Sequence, residues 1–143
     1  MSRLFHVNAF SHHPFAGNPA VVVLGEARPD AELQTLAAGA KFLLELASEE
    51  AVRALTPDFH ALRALLGRGI MVTAPSSRKE DDFVSRYFAP WVGVDEDPVT
   101  GSNHCALVPF WAERLGKRQL RARQISARGG DLRLELQLSL IHI

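Results

Sequence analysis

The stretch Phe88-Ala-Pro-Trp-Val-Gly-Val-Asp-Glu-Asp-Pro-Val-Thr-Gly-Ser-Asn-His-Cys105 decides the reading of this chain. It places acids, a proline, a Thr-Gly-Ser turn and a histidine ahead of an apolar run, Ala106 to Leu115, that ends at Gly116. The run predicts a helix beginning near Ser102, with Gly116 as its stop. Pro109 lies inside it, lacks an N–H donor, and is expected to kink or divide it. A polar, carboxylate-bearing loop therefore opens onto a helix N-terminus. Unpaired N–H groups and the positive end of the helix dipole meet there and suit an anionic ligand. Asp97 and Ser102 stand close enough around the turn to converge on one ligand.

Working outward, the elements predict an α+β chain. Leu4 to Phe10 alternates as a strand, Ser11 to Pro19 is a Gly, Pro and Asn-rich loop, and Ala20 to Leu24 is a short buried strand. Asp30 can cap a helix from Ala31 to about Ala38. Lys41 to Leu46 reads as a strand, and Ser48 starts a short helix through Leu55. Thr56-Pro57-Asp58 predicts a further helix to Leu66, with Thr56 as N-cap and Pro57 at the first helical position. Strands follow at Gly69–Ala74, Asp82–Phe88 (alternating) and Leu120–Ser126. Arg128-Gly129-Gly130-Asp131 supplies a hairpin turn into a half-exposed strand from Leu132 to Leu138.

Composition narrows the function. The chain has 143 residues, 47% of them hydrophobic, enough for one domain with a real core. Sixteen basic and sixteen acidic residues cancel, leaving no global field for nucleic acid or an anionic membrane. The basic cluster Lys117, Arg118, Arg121, Arg123 and Arg128 lacks interleaved aromatics and reads as a solvated strand face. One cysteine excludes an internal disulfide and a multi-cysteine metal site. His6, His12 and His13 have no carboxylate or cysteine at ligand spacing, so no metal is expected. No window reaches the ~18 apolar residues of a membrane span, and Met1 to Arg28 has no signal-peptide layout. The expectation is a soluble cytoplasmic protein.

Each candidate residue has a plain reading beside the functional one. Asp97 is either a fixed acceptor for a substrate group or a turn acid that orders the loop. Ser102 either caps the helix or binds a ligand carboxylate, and the two roles are compatible. Gly101 permits close backbone approach. His104 either faces the site or sits at the core edge. Cys105 could be an activated thiol at a helix start, but Ala106 and Leu107 beside it favour a buried structural one. Asn18, in Gly17-Asn18-Pro19, is by itself turn punctuation.

Phe10 to Leu24, Phe88 to Cys105 and Gln124 to Gly130 together resemble the phenazine-biosynthesis PhzF-like isomerase family. The resemblance runs from about Leu4 to Leu136, and the Asp-Glu-Asp-Pro-Val-Thr-Gly-Ser string is its most specific part. It implies a fold like diaminopimelate epimerase, with two similar α+β halves, each a curved sheet around a central helix, and a cleft between them. It also implies a cofactor-independent isomerase that moves a proton within a small cyclic carboxylate such as a dihydro-hydroxyanthranilate, acting in the full-length parent as a homodimer. By the resemblance, Asp97 and Ser102 are the catalytic positions, and Asn18, Gly101, Ser102 and His104 contact substrate. The family uses no catalytic thiol pair.

Departures accompany the resemblance. Position 103 is usually Ala in the family and is Asn here. The family is roughly twice this length. Its Ser-Glu-Thr-Ala-Phe segment, which carries the proton-shuttling glutamate, and its Cys-Gly-His-Ala-Thr segment are both missing. Residues 1–38 then read as a remnant of the N-terminal half, 39–138 as the C-terminal half, and 139–143 as a tail foreign to the family. The expected consequence is little or no turnover, or a non-catalytic binding module for a small carboxylate or a protein partner.

Overall fold

The computed structural model describes residues 3–9, 18–24, 40–65 and 67–136, with the backbone only for residues 3–9, 18–24 and 40. The loop expected at Ser11–Gly17, the helix expected at Ala31–Ala38, the pair His12 and His13, and the tail 139–143 lie outside the described residues.

Among the described residues, eight strands form one mixed sheet: β1 (Arg3–Ala9), β2 (Asn18–Leu24), β3 (Ala40–Glu45), β4 (Gly69–Pro75), β5 (Phe83–Ala89), β6 (Val94–Glu96), β7 (Gln119–Gln124) and β8 (Gly130–Glu135). The spatial order is β1-β2-β3-β4-β5-β7-β8, with β6 paired to β5. β1 and β2 are antiparallel, with Val7 opposite Ala20. β2 runs parallel to β3, with Val22 opposite Lys41, and so extends the sheet of the remaining chain. β3–β4 and β5–β7 are parallel, whereas β4–β5 and β7–β8 are antiparallel. The β7–β8 connection is the predicted hairpin; Gly129 takes a φ of 72° there, a conformation open to glycine.

Helices cover both faces of the sheet. On one lies α3 (Gly101–Leu115). Its Leu107, Val108, Trp111 and Ala112 pack on Leu43, Met71, Phe83, Tyr87, Leu120 and Ala122. Trp111 stacks on Phe83 with ring centroids 5.5 Å apart and donates its indole N–H to Thr73 Oγ1 at 3.0 Å. The donor is thus satisfied inside the core, where an unpaired N–H would be costly. On the other face, α1 (Glu49–Arg53) and α2 (Phe59–Arg63) help cover Val72, Ala74, Val84, Phe88 and Ile125.

This two-sided cover replaces the alternation read for Asp82–Phe88 with nearly continuous burial in β5. Phe83, Ser85 and Tyr87 are buried, and so are their neighbours Val84 and Phe88. Arg86 is the polar exception. Its guanidinium clasps Glu96 through two bonds of 2.7 and 2.9 Å, donates to the carbonyls of Val52 and Leu55, and lies over the Phe88 ring. It thereby ties β5 to the C-terminal end of α1 and the residues that follow it.

Four helix boundaries differ from expectation, the first being α1, which ends at Arg53 rather than Leu55. Asp58, not Thr56, caps α2, because its carboxylate accepts from the Ala61 N–H at 2.9 Å; α2 then ends at Arg63 rather than Leu66. α3 begins at Gly101 with Thr100 as N-cap, one residue before the expected start. Pro109 does not divide α3, which runs unbroken to a left-handed Gly116, φ 65°.

Candidate functional site

β5 leads through a 3₁₀ turn (Pro90–Val92) and the short β6 into the acidic turn. The Asp97 N–H donates to the Tyr87 carbonyl at 3.0 Å, which fixes the start of the turn to the sheet. Thr100 donates its hydroxyl to Asp97 Oδ2 at 2.7 Å, so it makes no side-chain cap bond of its own. Among the described residues Oδ1 of Asp97 has no partner, and the side chain is half-buried. The other nearby acid, Glu96, is taken by Arg86 and belongs to the scaffold.

Gln124 organises the turn from beneath. It is fully buried on β7, accepts from the Thr100 N–H at 2.8 Å, and donates to the Asp97 carbonyl at 2.7 Å and Thr100 Oγ1 at 3.2 Å. The sequence reading missed it. The signal was available: Leu120, Ala122 and Gln124 share the inward phase of one strand, and an amide on that phase needs a polar partner.

His104 was expected among the substrate contacts, but its ring is enclosed. It is 2% exposed and stacks on Phe83. Its Nδ1 lies 2.8 Å from the Thr100 carbonyl, which can only accept, so Nδ1 carries the proton and Nε2 accepts from Ser85 Oγ at 3.3 Å. Burial pulls its pKa below the ordinary histidine value, against the opposing bond to Thr100, so the ring is neutral near pH 7. It holds the turn from behind.

Ser102 lies in the first turn of α3, inside the helix, and does not cap it. Its Oγ accepts from Lys41 Nζ at 3.0 Å, and the same ammonium reaches Asn103 Oδ1 at 3.3 Å. Lys41 was not singled out from the sequence, although it shares the inward phase of β3 with Leu43. Burial lowers its pKa, Arg68 adds to this, and Cys105 and Asp97 oppose it. Tyr87 lies under the ammonium, and burial raises the pKa of its phenol. Gly101 is exposed at the mouth of the turn. The N–H groups of Gly101 and Ser102 have no acceptor within the helix itself. Cys105 is half-buried rather than buried, with Sγ 3.9 Å from the Gly101 carbonyl. The backbone of Asn18 opens β2, opposite Ala9.

The turn thus offers a carboxylate acceptor, a hydroxyl, helix N–H groups and an ammonium within one region. Among the described residues no three His, Cys, Asp or Glu side chains gather as a metal site, and no helix is long and apolar enough to cross a membrane. A separate groove of about 580 Å³, lined by Lys79, Glu80, Asp82, Lys117, Arg121 and Arg133, carries both signs of charge, with Lys117 already paired to Asp82.

A mixed sheet with helices on both faces and this turn at a helix N-terminus defines an α+β protein of diaminopimelate epimerase-like fold. The chain belongs to the PhzC-PhzF family of phenazine biosynthesis-like proteins, whose family model matches residues 38–142. An "uncharacterized isomerase" of Pseudomonas aeruginosa is 61% identical over 97 residues, which cover 68% of this chain and 36% of that protein. Another, from Halalkalibacterium halodurans, is 50% identical over 96 residues, covering 67% of this chain and 36% of that protein. The chain therefore spans little more than a third of the length of these relatives. A crystal structure of a PhzF-family phenazine biosynthesis protein from Enterococcus faecalis superposes with a TM-score of 0.63 at 26% identity, covering 96% of this chain and 92% of that one.

Proposed function

We propose that this chain carries one side of a cofactor-independent isomerase site for a small cyclic carboxylate of the dihydro-hydroxyanthranilate type. The observation that carries the reading is the Asp97 carboxylate, fixed by Thr100 and Gln124 beside the first turn of α3. Asp97 supplies a fixed acceptor for a substrate hydroxyl or amine. Ser102 and the N–H groups of Gly101 and Ser102 receive the carboxylate. Asn18 belongs to this proposal through the family resemblance, and His104 enters it as a positioning residue. Residues 39–138 act as the C-terminal half of the fold and 1–38 as part of the N-terminal half. A cytoplasmic location and a homodimeric full-length form belong to the same proposal and rest on the resemblance.

Proton transfer needs a group that both takes and returns the proton. A single carboxylate anchored by Thr100 lacks the freedom to carry a proton between two substrate carbons and serves poorly alone. Glu96, the nearest other acid in the sequence, is locked to Arg86. These observations favour the second reading, binding without turnover, for the chain by itself. The test is incubation of the chain with a dihydro-hydroxyanthranilate in D₂O, followed by proton NMR. Retention of the ring C–H signals is expected. Deuterium incorporation abolished by Asp97→Ala would show an active site complete within this chain.

A further inference from the structure

Lys41 occupies an unusual place for a lysine. Its side chain enters the core face of β3 in phase with Leu43, and the residue is only 9% exposed. Its ammonium touches Ser102 Oγ at 3.0 Å and Asn103 Oδ1 at 3.3 Å, and it lies 5.0 Å from the centroid of the Tyr87 ring. All three partners are neutral. No carboxylate among the described residues forms an ion pair with it. Three other charged or titratable groups act on it: Arg68, of like sign, and Asp97 and Cys105, which favour its charged form.

A buried charge without a contacting counter-ion is costly, and hydrogen bonds to neutral oxygens return only part of the lost hydration. The surroundings keep Lys41 in place. Tyr87, which supports it, packs over Gly69 so closely that a Cβ at position 69 would collide with the ring. The ammonium is thus held beside the first turn of a helix, where the dipole also favours an anion. Among the described residues the ammonium contacts no anion, and the first N–H groups of α3 have no acceptor within the helix; both features call for the same ligand chemistry.

We propose that Lys41 is the cationic anchor of this site: it binds the carboxylate of the ligand together with the Ser102 hydroxyl and sets a preference for carboxylates over their neutral analogues. The inference rests on the small-carboxylate reading of the turn and adds the residue that reads the charge.

The test uses benzoate and benzamide, a pair that differs in charge at nearly equal shape. Each is titrated into the isotopically labelled chain and read at the amide signals of Gly101 and Ser102. Charge-assisted hydrogen bonds exceed neutral ones by enough to give the wild-type chain about a tenfold or larger preference for benzoate. Lys41→Met should reduce benzoate to the benzamide level. Lys41→Gln, which keeps a hydrogen-bonding head for Ser102, should do the same and guards against a folding defect in the first variant. A wild-type preference retained within about twofold in a folded variant would overturn the role of Lys41 and leave the site standing. Equal wild-type affinity for the two probes would overturn it without any variant. Failure of both probes to shift the turn would overturn the small-carboxylate reading itself.

Discussion

Replacing Gln124 with methionine should loosen the acidic turn at a cost that the structure sets. The two side chains have similar volume, so no large cavity forms. Three hydrogen bonds are lost, to the Thr100 N–H, the Asp97 carbonyl and Thr100 Oγ1. A net contribution of about 1 kcal/mol each is usual, and a buried donor left unpaired adds about 1–3 kcal/mol. Thr100 is 8% exposed, so its N–H is the group most severely stranded. The Asp97 carbonyl is partly exposed and can recover a water. A loss of about 4 kcal/mol or more follows for Gln124→Met, a large fraction of the roughly 5–15 kcal/mol typical of a domain. Urea unfolding should show a lower midpoint with an unchanged slope. Amide exchange at Thr100 should quicken. A loss below about 1 kcal/mol with Thr100 exchange unaltered would refute the claim that Gln124 organises the turn.

Three further outcomes are expected. Burial raises the Glu49 pKa, but the Ser77 N–H, Arg53 and the hydroxyls of Ser77 and Ser76 outweigh it and bring the value down to about 2. A depressed folded-state pKa gives stability that is present above the ordinary value of 4.5 and lost as pH falls toward about 2. Glu49→Gln should therefore remove about 3 kcal/mol at pH 7 and flatten the acid limb of a melting-temperature profile; an unchanged limb would contradict it. Arg86→Lys loses the forked pairing to Glu96 and the bonds to the Val52 and Leu55 carbonyls, so calorimetry should show a melting point lower by roughly 5 °C or more. Cys105→Ser should leave benzoate affinity within about threefold, because a serine hydroxyl keeps a polar group of similar size beside the Gly101 carbonyl; a loss of binding in the folded variant would give the thiol a role.

Much of the fold was legible because local signals agreed with tertiary need. Gly116 and Gly129 sit at left-handed positions, and the Gly-Gly hairpin and the apolar run of α3 appear as read. Other features depended on partners distant in sequence. The two-sided burial of β5 follows from the layers on both faces, which no single strand pattern reveals. Thr56-Pro57 and Asp58 both fit a helix start, and only the geometry at Ala61 selects Asp58. In the site, Asp97 and Ser102 stood out through the motif. Lys41 and Gln124 did not, since their partners lie 61 and 27 positions away. Their polar groups on inward strand phases were the trace they left in the sequence. His104 pointed to function by its neighbours, but its closeness to Phe83 and Ser85, set by packing, turned it inward.

The central claim, that the turn from Asp97 to Ser102 receives a small carboxylate, meets its most direct test in one titration. The labelled chain is mixed with increasing 2-aminobenzoate, and every amide signal is followed. The largest saturable shifts should fall on Gly101, Ser102 and Asn103, and Asp97→Ala should weaken them. Shifts confined to the charged groove at Arg121 and Arg133, or no saturable shift at all, would contradict the account.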